Sequence, residues 1–168
     1  MKEGGISRFE KLEYFFSTII GQKEYEDDLK KLLQTFSLIL EKKLLACLET
    51  EGFKELIQAL SPDSKKIIVS GGLQTKLRKI FKDKGLTSNL DGIFGCPDNK
   101  IKILKRELKT GLIKPPIIFI GDSKYDYESA KSIGADFVFM SEYTEFLDWQ
   151  NYFKNKKVKI IKNLRELI

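Results

Sequence analysis

Apolar residues recur at three- and four-residue intervals between positions 24 and 50, at Leu29, Leu32, Leu33, Phe36, Leu40, Leu44 and Cys47. That is the one-sided stripe of a long amphipathic helix, or of two helices end to end. A shorter stripe of Phe53, Leu56, Ile57 and Leu60 stops at Pro62, so everything before that proline reads as helical. Beyond it the period changes. Ile67-Ile68-Val69 is a compact β-branched run, followed by Ser70-Gly71-Gly72 read as a turn, then a helix with Leu77, Ile80 and Phe81 inward and Gly85 as its stop. A short strand at Ile93-Phe94 leads to Pro97-Asp98-Asn99-Lys100, which suits a helix start, and Ile101, Leu104 and Leu108 carry that helix to Gly111. Pro115-Pro116 introduces Ile117-Ile118-Phe119-Ile120, uniformly apolar like a parallel strand buried on both faces, and Gly121-Asp122 opens another helix. Phe137-Val138-Phe139-Met140 and Val158-Lys159-Ile160-Ile161 supply two more strands around a helix predicted over 143–153. The alternation predicts an α/β fold with a parallel sheet and right-handed crossovers.

The chain has 168 residues, 42% hydrophobic and 32% charged, enough for one domain and a small appendage. The division predicted is a helical part at 1–61 and an α/β part at 62–168. No apolar run approaches the ~18 residues of a membrane span, and no apolar leader follows Met1, so the reading is a cytoplasmic protein with no membrane partner. Cys47 and Cys96 read as reduced thiols, because a chain of this size builds a core without staples. Thirty basic against 24 acidic residues give a net charge of +6. The lysines are scattered along every predicted helix with no aromatic-interleaved stripe, so no nucleic-acid partner is expected. The absence of histidine removes imidazole bases, His-based triads and His-metal sites. Chemistry is left to carboxylates, lysines, hydroxyls or a metal held by oxygen.

In a parallel sheet the carboxyl ends of the strands collect function, and three such ends carry complementary polar residues. Ser70 with Gly71 and Gly72 offers a hydroxyl and backbone N–H groups suited to a phosphate oxygen. Lys100 puts a compact positive charge at a helix N-terminus, where helix stability alone favours an acid. Gly121-Asp122-Ser123-Lys124-Tyr125-Asp126 sets two carboxylates one helical turn apart, one to bind a hard cation and one to orient it.

In this order, Ile67-Ile68-Val69-Ser70-Gly71-Gly72, Gly92-Ile93-Phe94-Gly95-Cys96-Pro97-Asp98-Asn99-Lys100 and Ile118-Phe119-Ile120-Gly121-Asp122-Ser123-x-x-Asp126 resemble motifs two, three and four of the haloacid dehalogenase-like phosphohydrolases. Gly5-Ile6-Ser7-Arg8-Phe9-Glu10-Lys11-Leu12 looks like the specificity loop of the helical cap in the branch of β-phosphoglucomutase and phosphoglycolate phosphatase. The resemblance implies a three-layer Rossmann-like core plus a partial all-α cap, with a small phosphorylated metabolite as substrate and Mg²⁺ as cofactor. It also implies roles: Ser70 and Lys100 clamp the phosphoryl group, Gly71 and Gly72 line its site, Asp122 and Asp126 hold the metal, and Arg8 meets the distal end of the substrate.

The family nucleophile is missing from the pattern. An Asp-x-Asp on the first strand should precede the cap, yet none precedes Ser70, and Asn89-Leu90-Asp91-Gly92, which imitates half of it, falls at the wrong place in the order. The expectation is that roughly 30–50 residues of a complete enzyme are absent, judged by the usual strand–loop–helix length. The sheet would then lack its central strand, between the 67–69 and 117–120 runs. Those two strands should pair directly or accept a strand from a partner chain or by self-association, and the cap helices should expose Leu and Phe. Three readings follow: a phosphatase-lineage chain that is catalytically silent, a non-catalytic phosphate- and metal-binding module, or a subunit completed by a second polypeptide that carries the nucleophile.

Overall fold

The computed structural model describes residues 8–168, Arg8 by its backbone alone. Helix α1 (Arg8–Tyr14) passes through a π-helical turn, Phe15–Ile20, to the long helix α2 (Glu26–Ala46), and α3 (Phe53–Ala59) follows. Strands and helices then alternate: β1 (Ile67–Leu73), α4 (Gln74–Asp83), β2 (Gly92–Cys96), α5 (Lys100–Thr110), β3 (Ile118–Gly121), α6 (Lys124–Lys131), β4 (Asp136–Met140), α7 (Trp149–Phe153) and β5 (Lys159–Ile161). A closing 3₁₀ turn spans Leu164–Leu167. No helix among the described residues is long and apolar enough to cross a membrane.

All strand pairs are parallel, as the alternation requires, but they form two sheets rather than one. β1 pairs with β2, and β3, β4 and β5 pair in that order. Of the two arrangements expected for the two most β-branched strands, direct pairing does not occur. Its mark is on both: no residue of β1 is fully buried, and Ile118 of β3 is 66% exposed. Among the described residues, each strand therefore keeps one edge whose backbone donors and acceptors find no ladder.

Strand β4 shows why helices cover both faces of its sheet. Side chains alternate along a strand. Phe137 and Phe139 point to one side, into a cluster with Ala130, Ala135 and Phe153, the Phe139 and Phe153 rings 4.8 Å apart. Val138 points to the other, into a cluster with Ile161 and Leu164 against which Phe53 and Leu56 of α3 pack. So α3 sides with the sheet layer, and the segment before it is tied there too: Leu164 N–H donates to the Glu51 carbonyl at 3.1 Å, and Asn163 Nδ2 donates to the Glu51 carboxylate at 3.0 Å.

Gly52 makes this junction possible. Its φ is +83°, and a Cβ there would lie 2.4 Å from the Arg165 backbone nitrogen. Gly85 also has a positive φ, +68°, but a Cβ would meet open space. Gly85→Ala is expected to cost about 1–2 kcal/mol from the left-handed backbone alone. Gly52→Ala adds a collision with backbone and should cost roughly 1–3 kcal/mol more. Urea unfolding of the two variants checks the difference, and equal losses would mean that the Arg165 contact carries no weight.

Helix α2 leans on α4. Leu40 and Leu44 face Leu73, Leu77 and Ile80, and the Glu41 carboxylate receives Lys76 Nζ at 2.6 Å and Lys79 Nζ at 2.5 Å. Those two ammonium groups hold the Glu41 carboxyl down at about 2. Part of the apolar surface of α2 is nevertheless exposed. Phe36 is 44% and Leu38 66% exposed, and a groove of about 710 Å³ runs past Phe9, Leu29, Leu33 and Leu38. The exposed Leu and Phe expected on the cap helices are present.

Two local readings need correction. The helix predicted over 143–153 contracts to Trp149–Phe153, because the preceding residues form a loop held by side-chain hydrogen bonds of Ser141 and Thr144. Ser70-Gly71-Gly72 is an irregular continuation of β1 and not a tight turn; the register to β2 shifts between Val69 and Leu73, and α4 begins at Gln74. The bulged end is closely packed, since a Cβ on Gly95 would lie 2.2 Å from the Gly72 carbonyl oxygen.

Candidate functional site

The carboxyl ends of β1 and β3 and the first turns of α5 and α6 carry the residues singled out from the sequence. Lys100 opens α5 behind Asn99, whose side chain caps the helix by accepting from Lys102 N–H. Its ammonium group is buried and reaches Asp126 Oδ1 on α6 at 2.5 Å. The other oxygen of Asp126, Oδ2, accepts from the Ser123 hydroxyl at 2.6 Å, and Ser123 Oγ in turn accepts from Asp126 N–H at 3.1 Å. Asp126 is only 2% exposed, a burial that a carboxylate tolerates when both oxygens are engaged and a cation faces it. Gly121 leaves it room, because a Cβ there would lie 2.4 Å from Asp126 Cβ.

Asp122 sits on the same corner, half-buried, between the last residue of β3 and the N-cap of α6. Burial pushes its carboxyl above the ordinary 3.8, the Asp126 charge adds to the push, and Lys100 opposes it. Lys100, Asp122 and Asp126 therefore share one electrostatic neighbourhood. Ser70 ends the regular part of β1, and its Oγ accepts from Gly72 N–H at 3.1 Å. It stands on the β1–β2 side of the split sheet, with Gly71 and Gly72, while the acids stand on the other. Tyr125 links the corner to the helical part: burial raises its phenol, and Glu10 of α1 adds to that shift. The side chain of Arg8 and residues 5–7 of the specificity-loop reading lie outside the described residues.

Asp91, the half-signature that imitates a nucleophile motif, serves the opposite end of the strands. Its carboxylate takes Lys65 Nζ and Lys66 N–H, each at 2.8 Å, and fixes the start of β1 against β2. Ser123, quoted in the motif but given no role from the sequence, is integral to the corner. Its signal was the spacing Ser-x-x-Asp ahead of a helix, a capping-box pattern.

The Asp122 shift has a sign that can be checked. An acid whose value is raised on folding loses stability as its charge forms, so Asp122 favours the fold most below about pH 3.8 and disfavours it as pH rises through the raised value. Asp122→Asn is expected to raise Tm at neutral pH, with the gain shrinking as pH falls toward 3.8. A thermal scan series across pH tests this; a lower Tm for the variant at pH 7 contradicts it.

A fold of alternating parallel strands and helices, with a buried lysine–acid pair and a second acid at the carboxyl edge, defines an α/β protein that gathers charged side chains at one corner of its sheet. Comparison with protein families matches residues 9–140 to the haloacid dehalogenase-like hydrolases, and the chain belongs to that family. Solved structures give the same fold. A haloacid dehalogenase-like hydrolase from Streptococcus pneumoniae aligns with a TM-score of 0.68 at 21% identity, over 86% of this chain and 71% of that one. A Clostridium difficile protein provisionally assigned as a phosphatase aligns with a TM-score of 0.69 at 18% identity, over 93% of this chain and 75% of that one. A hydrolase of the same superfamily from Ehrlichia chaffeensis aligns with a TM-score of 0.56 at 20% identity, over 97% and 86%. At these identities the likeness is one of fold. No curated protein matches the chain.

Proposed function

We propose that this chain carries the phosphate-clamping and metal-holding part of a phosphohydrolase site for a small phosphorylated metabolite, of the β-phosphoglucomutase and phosphoglycolate phosphatase-like branch, working in the cytoplasm. The observation that carries the reading is the buried Lys100–Asp126 pair beside the half-buried Asp122. Asp126, engaged through both oxygens, positions the Lys100 ammonium; Lys100 and the Ser70 hydroxyl then meet the equatorial phosphoryl oxygens as charge spreads over them. Gly71 and Gly72 let backbone come close to the anion at that edge.

The donor set fits part of a Mg²⁺ site. Among the described residues no cluster of three or more carboxylates or thiols gathers, but Mg²⁺ keeps several waters and needs only one or two carboxylates with the substrate's phosphate. Asp122 is the direct ligand on this reading, and Asp126 acts at one remove rather than as an equal partner. Asp122 would hold the ion, whose chemistry there would be to offset charge on the transferring phosphoryl group. The chain by itself is silent, because no Asp-x-Asp nucleophile stands before Ser70.

Mg²⁺ and inorganic phosphate together should raise the Tm of the wild-type chain. Asp122→Asn should abolish the Mg²⁺ effect, and Ser70→Ala should weaken the phosphate effect. Wild-type chain indifferent to both ions would overturn the reading. The split sheet favours one companion reading, in which an apolar strand ending in the nucleophile enters between β1 and β3 from a second polypeptide. Persistent binding with no turnover, even when such a strand is supplied, would favour the non-catalytic module instead.

A further inference from the structure

We infer that Thr144, in the loop between β4 and α7, is a positioning residue for Asp122 and, through the same peptide, for the Ser123–Asp126–Lys100 chain of hydrogen bonds. The inference rests on the proposed metal role of Asp122 for its functional consequence, but its geometry stands apart from that role. Thr144 Oγ1 donates to the backbone carbonyl of Asp122 at 2.5 Å, across 22 positions of sequence. The same oxygen accepts from Phe146 N–H at 3.0 Å, which orients the hydroxyl so that its proton faces Asp122. Phe146 is itself anchored in the aromatic cluster, 5.3 Å from the Tyr152 ring and 6.4 Å from Phe153. The start of the loop is fixed as well, with Ser141 N–H and Oγ both donating to the Ile161 carbonyl at the end of β5.

The carbonyl that Thr144 engages is in an exceptional place. The ladder of β3 to β4 runs only as far as Gly121 paired with Phe139, and Ser123 is the N-cap of α6, so the Asp122 carbonyl belongs neither to the strand ladder nor to the helix. Rotation of that peptide would re-aim the Asp122 carboxylate on one side and move the Ser123 hydroxyl away from Asp126 on the other. Thr144 is the group that stops the rotation. A hydroxyl from the aromatic core thereby holds the one peptide between the proposed metal ligand and the residue that seats the lysine–acid pair.

Thr144→Val keeps the shape and removes the hydroxyl, whereas Thr144→Ser keeps the hydroxyl, so the pair separates positioning from packing. With Mg²⁺ as the probe, Thr144→Val should weaken binding by about tenfold, the usual scale for losing an outer hydrogen bond to a metal ligand, and Thr144→Ser should stay within about twofold of wild type. Amide NMR of the metal-free proteins is the second measurement. The Ser123 and Asp126 amide signals should move in Thr144→Val and not in Thr144→Ser. Unmoved signals in the valine variant, or a serine variant that behaves like it, overturn the inference. Wild type that binds no Mg²⁺ while the valine variant still displaces those amides would remove the metal role of Asp122 and leave Thr144 as the positioning residue.

Discussion

Asp126→Ala is expected to lower the unfolding free energy by about 3–5 kcal/mol, the cost of leaving a buried charge without its partner. The Lys100 side chain is 10% exposed and that of Asp126 3%, so water cannot replace the lost carboxylate. A domain is stable by only about 5–15 kcal/mol, and the variant should sit near the edge of folding. Removing the cation instead, as in Lys100→Met, leaves Asp126 and Asp122 facing each other with no positive charge between them, a comparable loss. The double variant Lys100→Met with Asp126→Ala should lose less than the two single losses added together, because it removes both members of the buried pair and leaves neither charge without its partner. Urea unfolding of the four proteins measures the coupling. Single-variant losses below about 1 kcal/mol, the range of exposed pairs, would show that the pair is not buried as described.

The second large effect concerns catalysis. With p-nitrophenyl phosphate and Mg²⁺, the chain alone should release no more product than its Asp122→Ala variant. Supplying an apolar strand that ends in Asp-x-Asp, as an added peptide or as a fused segment, should raise the rate by a factor on the order of a thousand or more, since losing a nucleophile elsewhere costs about a millionfold. The strand must enter parallel and become buried on both faces, so it should be rich in Val, Ile and Leu, like Ile67-Ile68-Val69 and Ile118-Phe119-Ile120. A charged substitution in the middle of the supplied strand should abolish the gain while leaving the acid pair untouched. Vigorous turnover by the chain alone would end the silent-chain reading, and a supplied strand that binds without restoring turnover would favour the binding module.

The alternation of helix and strand was legible because period and punctuation agree. Ile118-Phe119-Ile120 is too short for a helix and reads as a strand, although Ile118 is exposed where a strand buried on both faces was expected. Asn99-Lys100 carries its own helix cap, whereas α6 is capped by Ser123 and not by Asp122. Ser-Gly-Gly after β1 was misread because a local signal for a turn cannot register that the β2 strand still pairs at Leu73 with Cys96. The shortened α7 has a similar cause, for Phe146, Trp149, Tyr152 and Phe153 fill an aromatic cluster rather than one helical face, while Leu147 is exposed.

By itself the sequence determined the parallel α/β order and, through the resemblance of its motifs, the family, and it singled out Lys100, Asp122 and Asp126 as candidates because each lies within a few residues of a strand end. Only the tertiary structure decided that Asp126 spends both oxygens on Lys100 and Ser123, that Asp91 serves the far end of the strands, and that β1 and β3 stand apart. It also brought Thr144 to the Asp122 carbonyl. The physical reason is range. Periodicity and caps are energies between near neighbours in sequence, whereas the partner of a buried charge or of a strand edge is whatever the packed chain brings within hydrogen-bonding distance.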